Sequence, residues 1–339
     1  MFKKITDRAE VIRLLKEEKA EVLYGRADKL RQEYVGDEVH LRGLIEFSNI
    51  CRNNCMYCGI RKDNPQLKRY RMTPEELVET ARRAAAIGFK TIVMQSGEDM
   101  WFSQKIMCDI VEKIKKFDVA ITLSIGERSY EDYKAFREAG ADRYLMRIET
   151  TDKDLYHKLD PNMSWQHRHE CLMMIKELGY ELGSGIMVGL PEQTIESIAD
   201  DLIYLQNIGI DMAGIGPFIP HAQTPLKDAA GGTLELALRT MAVMRIMMPD
   251  INIPATTAME SLHPQGRIRA LQCGANVVMP NVTEGEYRRL YELYPGKICV
   301  DDTPTQCRSC IGMKIASIGR TVGLGYGGHK GRLPQKAKI

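Results

Sequence analysis

Three cysteines crowd into eight residues, Cys51-Arg52-Asn53-Asn54-Cys55-Met56-Tyr57-Cys58, with C-x3-C-x2-C spacing. Three thiolates on one short loop can take three corners of a cubane iron–sulfur cluster, which normally has four thiolate ligands. The fourth iron then keeps an open position for an outside ligand, as the metal of a catalytic site does. A structural zinc would need a fourth ligand to close its tetrahedron, and no histidine or fourth cysteine stands close by in the sequence. Chance packing of buried cysteines is the other alternative, but three of the nine cysteines in one loop speak against it. A second set, Cys299, Cys307 and Cys310, is spaced C-x7-C-x2-C and suggests a second site for a soft metal. Its alternative is three thiols that stay empty. Cys108, Cys171 and Cys273 fall in helical patterns and read as small core fillers.

These loops need a frame. Short apolar runs at Leu44–Ile50, Lys90–Gln95, Ala120–Ile125, Arg143–Ile148, Leu182–Val188, Met212–Phe218, Ile251–Thr256 and Ala275–Pro280 have the character of parallel strands covered on both faces. Helical patterns alternate with them. The clearest opens at Thr73-Pro74-Glu75-Glu76, with an N-cap threonine, proline in the first turn and acids behind it. Eight strand–helix units predict an α/β fold, a closed (βα)8 TIM-type barrel, with an open doubly wound sheet as runner-up. In such a barrel chemistry sits on the loops after the strands, and the first cysteine loop follows the first strand directly. The expected division is an N-terminal helical cap over 1–40, the barrel over 41–298, and a C-terminal extension over 299–339. That extension carries the second cysteine set and a glycine-rich basic tail from Gly323, expected on the surface or mobile.

Composition narrows the function classes. The 339 residues carry 47 basic and 45 acidic side chains, a net charge of +2, so no nucleic-acid partner is expected. No apolar run approaches membrane-spanning length. The charged start, Met1–Glu10, leaves no room for a signal-peptide core. The chain is expected in the cytoplasm, as a monomer with reduced cysteines. Met241, Met244, Met247 and Met248 read as helix packing. His167 and His169 read as exposed or hydrogen-bonded. His221 either reaches the barrel mouth or anchors a loop.

The cysteine loop resembles that of the radical S-adenosylmethionine (SAM) superfamily. Further motifs match in order: Ser96-Gly97-Glu98 after the second strand, with serine replacing the usual first glycine; Arg147-Ile148-Glu149-Thr150 after the fourth; and Gly185-Ile186-Met187-Val188-Gly189-Leu190-Pro191-Glu192 on the fifth, where Met187 replaces isoleucine. The resemblance implies a 4Fe-4S cluster on Cys51, Cys55 and Cys58, with SAM chelating the open iron. It implies one-electron cleavage of SAM to methionine and a 5′-deoxyadenosyl radical, driven by an external one-electron reductant. It also implies Tyr57 near the adenine, and Ser96, Gly97, Glu98 and Glu149 around the amino group or ribose.

Over almost the whole chain the sequence is similar to the HydE family of FeFe-hydrogenase maturases. The carrying residues include Gln95–Asp99, Gly214–His221, Asn252–Met259 and Tyr294–Cys299. This resemblance implies a cavity inside the barrel. Gln95, Thr122, Ser124, Glu149, Arg168, Met187, Thr256, Thr257 and Met279 should line SAM or substrate. Arg143, Arg147 and Arg168 should bind anionic groups, the alternative being internal ion pairs with Glu98 or Glu149. Tyr291 and Tyr294 should close the far end, the alternative being helix-face packing. For Thr256 and Thr257 the alternative is a strand-end bond to backbone. The implied substrate is a small iron complex carrying carbon monoxide, cyanide and cysteine. It would come from HydG, and its product would pass to HydF. An auxiliary 2Fe-2S or 4Fe-4S cluster on Cys299, Cys307 and Cys310 is implied as optional. Two other readings stay open: a methylornithine synthase-like or biotin synthase-like enzyme, and a non-catalytic zinc or cluster scaffold.

Overall fold

Apolar β-branched runs become a ring of parallel strands. The computed structural model describes residues 5–17, 19–283, 285–299 and 302–329. Its strands are β1 (Glu38–Leu41), β2 (Gly43–Ser48), β3 (Thr91–Ser96), β4 (Ala120–Ser124), β5 (Arg143–Leu145), β6 (Glu181–Val188), β7 (Met212–Pro217), β8 (Val277–Val278) and β9 (Thr321–Val322). From β2 to β7 they pair in chain order, every pair parallel. Shorter contacts close the ring: Ala213 N donates to Asn252 O, Ala255 N to Val277 O and Val282 N to Leu44 O. The architecture is therefore the expected (βα)8 barrel rather than an open sheet.

The two last expected strands are nearly gone. Ile251–Thr256 keeps only isolated bridges at Asn252 and Pro254, and Ala275–Pro280 keeps β8 and a bridge at Asn281. Pro254 and Pro280 have no N–H to give a ladder. β1 had no place in the sequence reading. It spans the 40/41 junction and pairs with β8 and β9.

Helix Pro74–Ala86 forms as its signals predict, with a complete capping box between Thr73 and Glu76, and it buries Leu77, Ala81 and Ala84. Helix Leu234–Met247 is buried almost throughout, Met241, Met244 and Met247 included. Three helices were not expected: Lys153–Leu159, Thr257–Leu262 and Pro304–Ala316. The first two, at seven and six residues, are too short to show a period. The third buries only Cys307, Ile311 and Ile315, so its pattern is weak, although its Thr303–Gln306 capping box was readable.

The helices Arg8–Leu15 and Ala20–Val35 lean on the outer helices Ile195–Ile208 and Leu234–Met247. The expected cap is thus a brace on the barrel's flank. The tail lies against the barrel with Leu324 and Gly325 exposed. Residues 330–339 lie outside the described residues, but 323–329 are tucked under the barrel floor. There Tyr326 O accepts from Thr91 Oγ1 (2.7 Å) and Arg143 Nη2 (3.0 Å), and Gly327 O accepts from Arg42 Nη2 (2.9 Å). Among the described residues, no helix is long and apolar enough to cross a membrane.

Candidate functional site

β2 delivers the chain to the cysteine loop, and β3 sets a second turn against it. Cys51 Sγ accepts N–H bonds from Asn53 and Glu98, each at 3.4 Å. The turn lies flush because Gly97 has no side chain: a Cβ there would stand 2.4 Å from Ile50 O and 2.8 Å from Cys51 Cβ. The Glu98 carboxylate is buried, and it accepts from Arg52 Nε and from Glu127 N, both at 2.8 Å. Gly126, at φ +78°, leaves the room that this side chain fills.

Burial pushes the Cys51 thiol up. Burial and the nearby Asp160 push Cys55 up further. Burial, then Cys51, push Cys58 up to about 12. Three gathered thiols that stay protonated on their own are a donor set suited to a cationic iron centre, which deprotonates its ligands. The N–H donors at Cys51 fit a ligated sulfur equally well. Among the described residues, no three His, Cys, Asp or Glu side chains converge on one point as a single metal ion requires. A cubane makes no such demand, since each thiolate binds its own iron.

Below the loop a cavity of about 390 Å³ runs down the barrel to Arg42, Met212 and Asn252. Its wall brings together every side chain selected from the sequence except Arg143 and Cys310. Gln95, Ser96 and Ser124 stand at the ends of β3 and β4, and Thr122 in the middle of β4. Tyr57 joins Met187, Leu190, Leu155, Leu159 and Phe218 in a small apolar cluster, and its hydroxyl lies 3.3 Å from Asp160 Oδ1. Burial raises the Asp160 carboxyl to about 6.

Several wall atoms make no hydrogen bond. Thr122 Oγ1 and Thr256 Oγ1 are buried without a hydrogen bond. Glu149 Oε2 approaches Arg147 Nη2 at 3.0 Å, yet neither atom makes a well-oriented hydrogen bond. Glu149 also holds left-handed backbone, φ 66°, a conformation costing on the order of 1–3 kcal/mol without glycine. Burial raises its carboxyl, against the pull of Arg147 and Arg168. Buried polar atoms left open on a concave wall are what a polar, charged ligand satisfies.

Arg143 is a correction. It sits at the start of β5, at the barrel floor, fully buried. Its Nε pairs with Glu181 at 2.8 Å, and Nη1 reaches Thr91 Oγ1 at 3.2 Å. The strand-end rule separates it from Arg147, four residues later at the other end. For Arg168 the ion-pair alternative holds with a different partner: Nε donates to Glu127 at 2.7 Å, and Nη1 to Arg147 O at 2.6 Å. Thr257 Oγ1 accepts from Arg267 Nη2 at 2.8 Å rather than serving the backbone. His221 is a loop anchor, its Nδ1 accepting from Gln223 N at 3.0 Å. His167 is half exposed, and His169 bonds Tyr204 at 2.8 Å.

Sequence reasoning missed Glu127, which follows Gly126 just beyond β4 and was findable by position. It also missed five charged residues of the cavity: Arg42, Glu46, Arg267, Arg288 and Lys297. Burial and the neighbouring Arg143 depress Arg42 to about 9. Glu46 pairs with Lys297 and accepts from Asn281 Nδ2 at 2.6 Å. In the second cysteine set, Cys299 and Cys307 line the cavity. A bond from Cys299, with Arg288 and Arg267 beside it, holds the Cys307 thiol down. Cys310 lies one helical turn further and outside that wall.

Comparison with known proteins fixes the relationship. The Radical SAM superfamily model matches residues 45–205. The [FeFe] hydrogenase maturase subunit HydE of Thermotoga maritima is 55% identical over 310 residues, 91% of this chain and 89% of that protein. The chain belongs to the HydE family. The 3-methylornithine synthase of Methanosarcina acetivorans is more distant, 31% identical over 80% of this chain and 77% of that protein. The crystal structure of methylornithine synthase (PylB) superposes with a TM-score of 0.83 at 26% identity, covering 94% of each chain. A HydE-family chain is a radical SAM enzyme, for which a 4Fe-4S cluster and SAM are the implied groups, and the Cys51–Cys58 loop above its partly open cavity suits both.

Proposed function

We propose that this chain cleaves SAM reductively and serves in building the di-iron cofactor of an FeFe hydrogenase. The observation that carries the reading is the joining of a three-thiol loop to a barrel cavity whose wall leaves Glu149, Thr122 and Thr256 atoms open. The relative at 55% identity, a hydrogenase maturase subunit, supports the pathway. Cys51, Cys55 and Cys58 would hold three irons of the cluster. When bound, the cluster supplies the electron that cleaves SAM to methionine and a 5′-deoxyadenosyl radical. Glu98 N braces Cys51, and Gly97 lets the turn approach. Glu149, with Arg147 and Arg168 beside it, would orient the charged end of SAM, and Tyr57 would pack on its adenine. Gln95, Ser96, Ser124 and Met187 would complete that contact.

Thr256, Thr257, Met279, Tyr291 and Tyr294 would shape the space for the second reactant. The barrel wall would limit water at the reacting atoms and fix their approach. That reactant would be an iron complex carrying carbon monoxide, cyanide and cysteine, supplied by HydG, and its product would pass to HydF. Cys299, Cys307 and Cys310 would hold an auxiliary cluster that the core reaction does not need.

The test is anaerobic turnover of the reconstituted protein with dithionite, SAM and a synthetic iron–cysteine complex. Consumption of the complex with formation of 5′-deoxyadenosine is expected. The likeness to methylornithine synthase favours a second reading, so lysine is run in parallel, with dethiobiotin beside it. Turnover of lysine or dethiobiotin alone would overturn the maturase assignment.

A further inference from the structure

We propose that the basic face around the Cys51–Cys58 loop is a docking surface for a small acidic protein that delivers single electrons. This deepens the radical SAM reading and rests on it. Reductive cleavage needs an electron from outside the chain; the donor is oxidised by one electron and the cluster is reduced by one.

The charge is local. The whole chain is at +2, yet residues 50–72 hold six basic side chains against one acidic, Asp63. Arg52, Lys62 and Lys68 are exposed, and Arg71 is partly so. Glu98 and Asp99, which pair with Arg52 and Arg71, are 5% and 2% exposed, while Asp63 is exposed. Six bases still outweigh these three acids, so the net field is positive.

An apolar centre lies within this rim. Met100 and Trp101 are neighbours in sequence and each is 46% exposed. Trp101 is the aromatic residue among the exposed large hydrophobics of the described chain. It is held in place rather than loose. The Arg71 guanidinium lies 4.9 Å from its ring centroid, Phe102 meets it edge-on at 5.0 Å, and the Trp101 backbone N–H donates to Asp99 Oδ1 at 3.2 Å. Arg71 is itself fixed on Asp99 at 2.7 Å. A tryptophan held under Arg71, with Met100 next to it in the chain and the basic cysteine loop joined through Glu98, has the composition of a small interface core. Electron-transfer encounters use patches of this modest size, guided by opposite charge. The path inward is short: Trp101 lies three residues beyond Glu98, whose N–H donates to Cys51 Sγ. An acidic donor fits this surface; a basic one does not.

The experiment uses the full reconstituted chain with two probes, a small acidic 4Fe-4S ferredoxin and an acidic flavodoxin. Binding is measured by calorimetry at low and high salt, and cluster reduction by stopped-flow absorbance. At least one probe should bind, more weakly at high salt. Lys62→Glu with Lys68→Glu, and separately Trp101→Ala, should each weaken binding and slow donor-driven reduction by about tenfold. Reduction by dithionite, and the SAM cleavage it drives, should match the parent. Binding by neither probe, or unchanged binding and reduction in both variants, overturns the docking surface. Failure of the parent to cleave SAM with dithionite strikes the radical SAM reading instead.

Discussion

Arg143 tests whether a buried charge at the barrel floor serves the fold or the chemistry. Its side chain is fully buried and faces a Glu181 carboxylate that is 5% exposed, at 2.8 Å. Arg143→Met removes the cation and leaves Glu181 charged, with the His329 backbone N–H (3.2 Å) as its remaining hydrogen-bond donor among the described residues. Breaking a buried pair in this way costs about 3–5 kcal/mol. Unfolding entropy of about 2.1 cal/mol/K per residue gives about 0.7 kcal/mol/K for a chain this long, so the melting temperature should fall by about 4–7 °C. Relief of Arg42, which Arg143 holds down, places the result toward the lower end. The double variant Arg143→Met/Glu181→Leu should recover most of the loss, because apolar replacement of a whole buried pair is often neutral. Calorimetry of the apo chain reads the stability, and 5′-deoxyadenosine formation per intact cluster reads the chemistry, which should stay within about twofold of the parent. A melting temperature unchanged in Arg143→Met, together with a tenfold rise in KM for either reactant, would refute the floor assignment and return Arg143 to substrate binding.

Gly97→Ala should lower the iron bound after reconstitution, read by iron assay and absorbance, because its Cβ would meet Ile50 O at 2.4 Å and force the cysteine loop outward. Glu149→Gln should keep the cluster spectrum but raise KM for SAM by about 10–150-fold, the equivalent of losing a charged hydrogen bond worth about 1.5–3 kcal/mol. His40 is held down to about 4 by burial, then by Arg42 and Arg143. It is neutral in the fold above that value, while the unfolded chain protonates near its ordinary 6.5. Its contribution to stability is therefore complete above pH 6.5 and lost as pH falls toward 4, about 3 kcal/mol in all. His40→Gln should flatten the urea midpoint across that window.

How far the sequence could be read depended on how local each determinant is. The cysteine loop is contiguous and bounded by a strand, so ligand number and strand end were both on the page of residues. The strand-end rule likewise placed Gln95, Ser124 and Glu149, each at or just past the C-terminal end of a strand. Arg143 was misassigned although the same rule applies to it: it opens the expected strand Arg143–Ile148, which puts it at the floor, where Glu181 and Tyr326 from distant segments hold it. The tail reads as glycine-rich and basic, yet much of its seat under the barrel is made by the backbone carbonyls of Tyr326 and Gly327, with His329 set beside Asp211 and Asp250. No side-chain pattern announces a carbonyl. Short helices such as Thr257–Leu262 were hidden because six residues cannot show a repeat, though their position decides that Thr256 Oγ1 is left open to the cavity.

A barrel of this kind ordinarily packs its interior with apolar layers, so the hollow needs a cause in the chain. β6 and β7 supply one through glycines of two kinds. At Gly185 a Cβ would strike Gly214 O at 1.9 Å, so this glycine serves close strand approach. At Gly216 the nearest atom to a Cβ would be Thr256 Oγ1 at 3.6 Å, an ordinary contact beside the cavity, and its backbone is not in the left-handed region. Glycine inside a strand is costly to order, and nothing in the packing requires it there. Gly216→Ala should therefore raise stability by about 0.4–1 kcal/mol while placing a methyl group in the hollow beside Thr256. Turnover of the second reactant should fall, while SAM cleavage without it continues. A melting temperature several degrees lower in Gly216→Ala would mean that the residue is needed for packing, and that the cavity's shape has another origin.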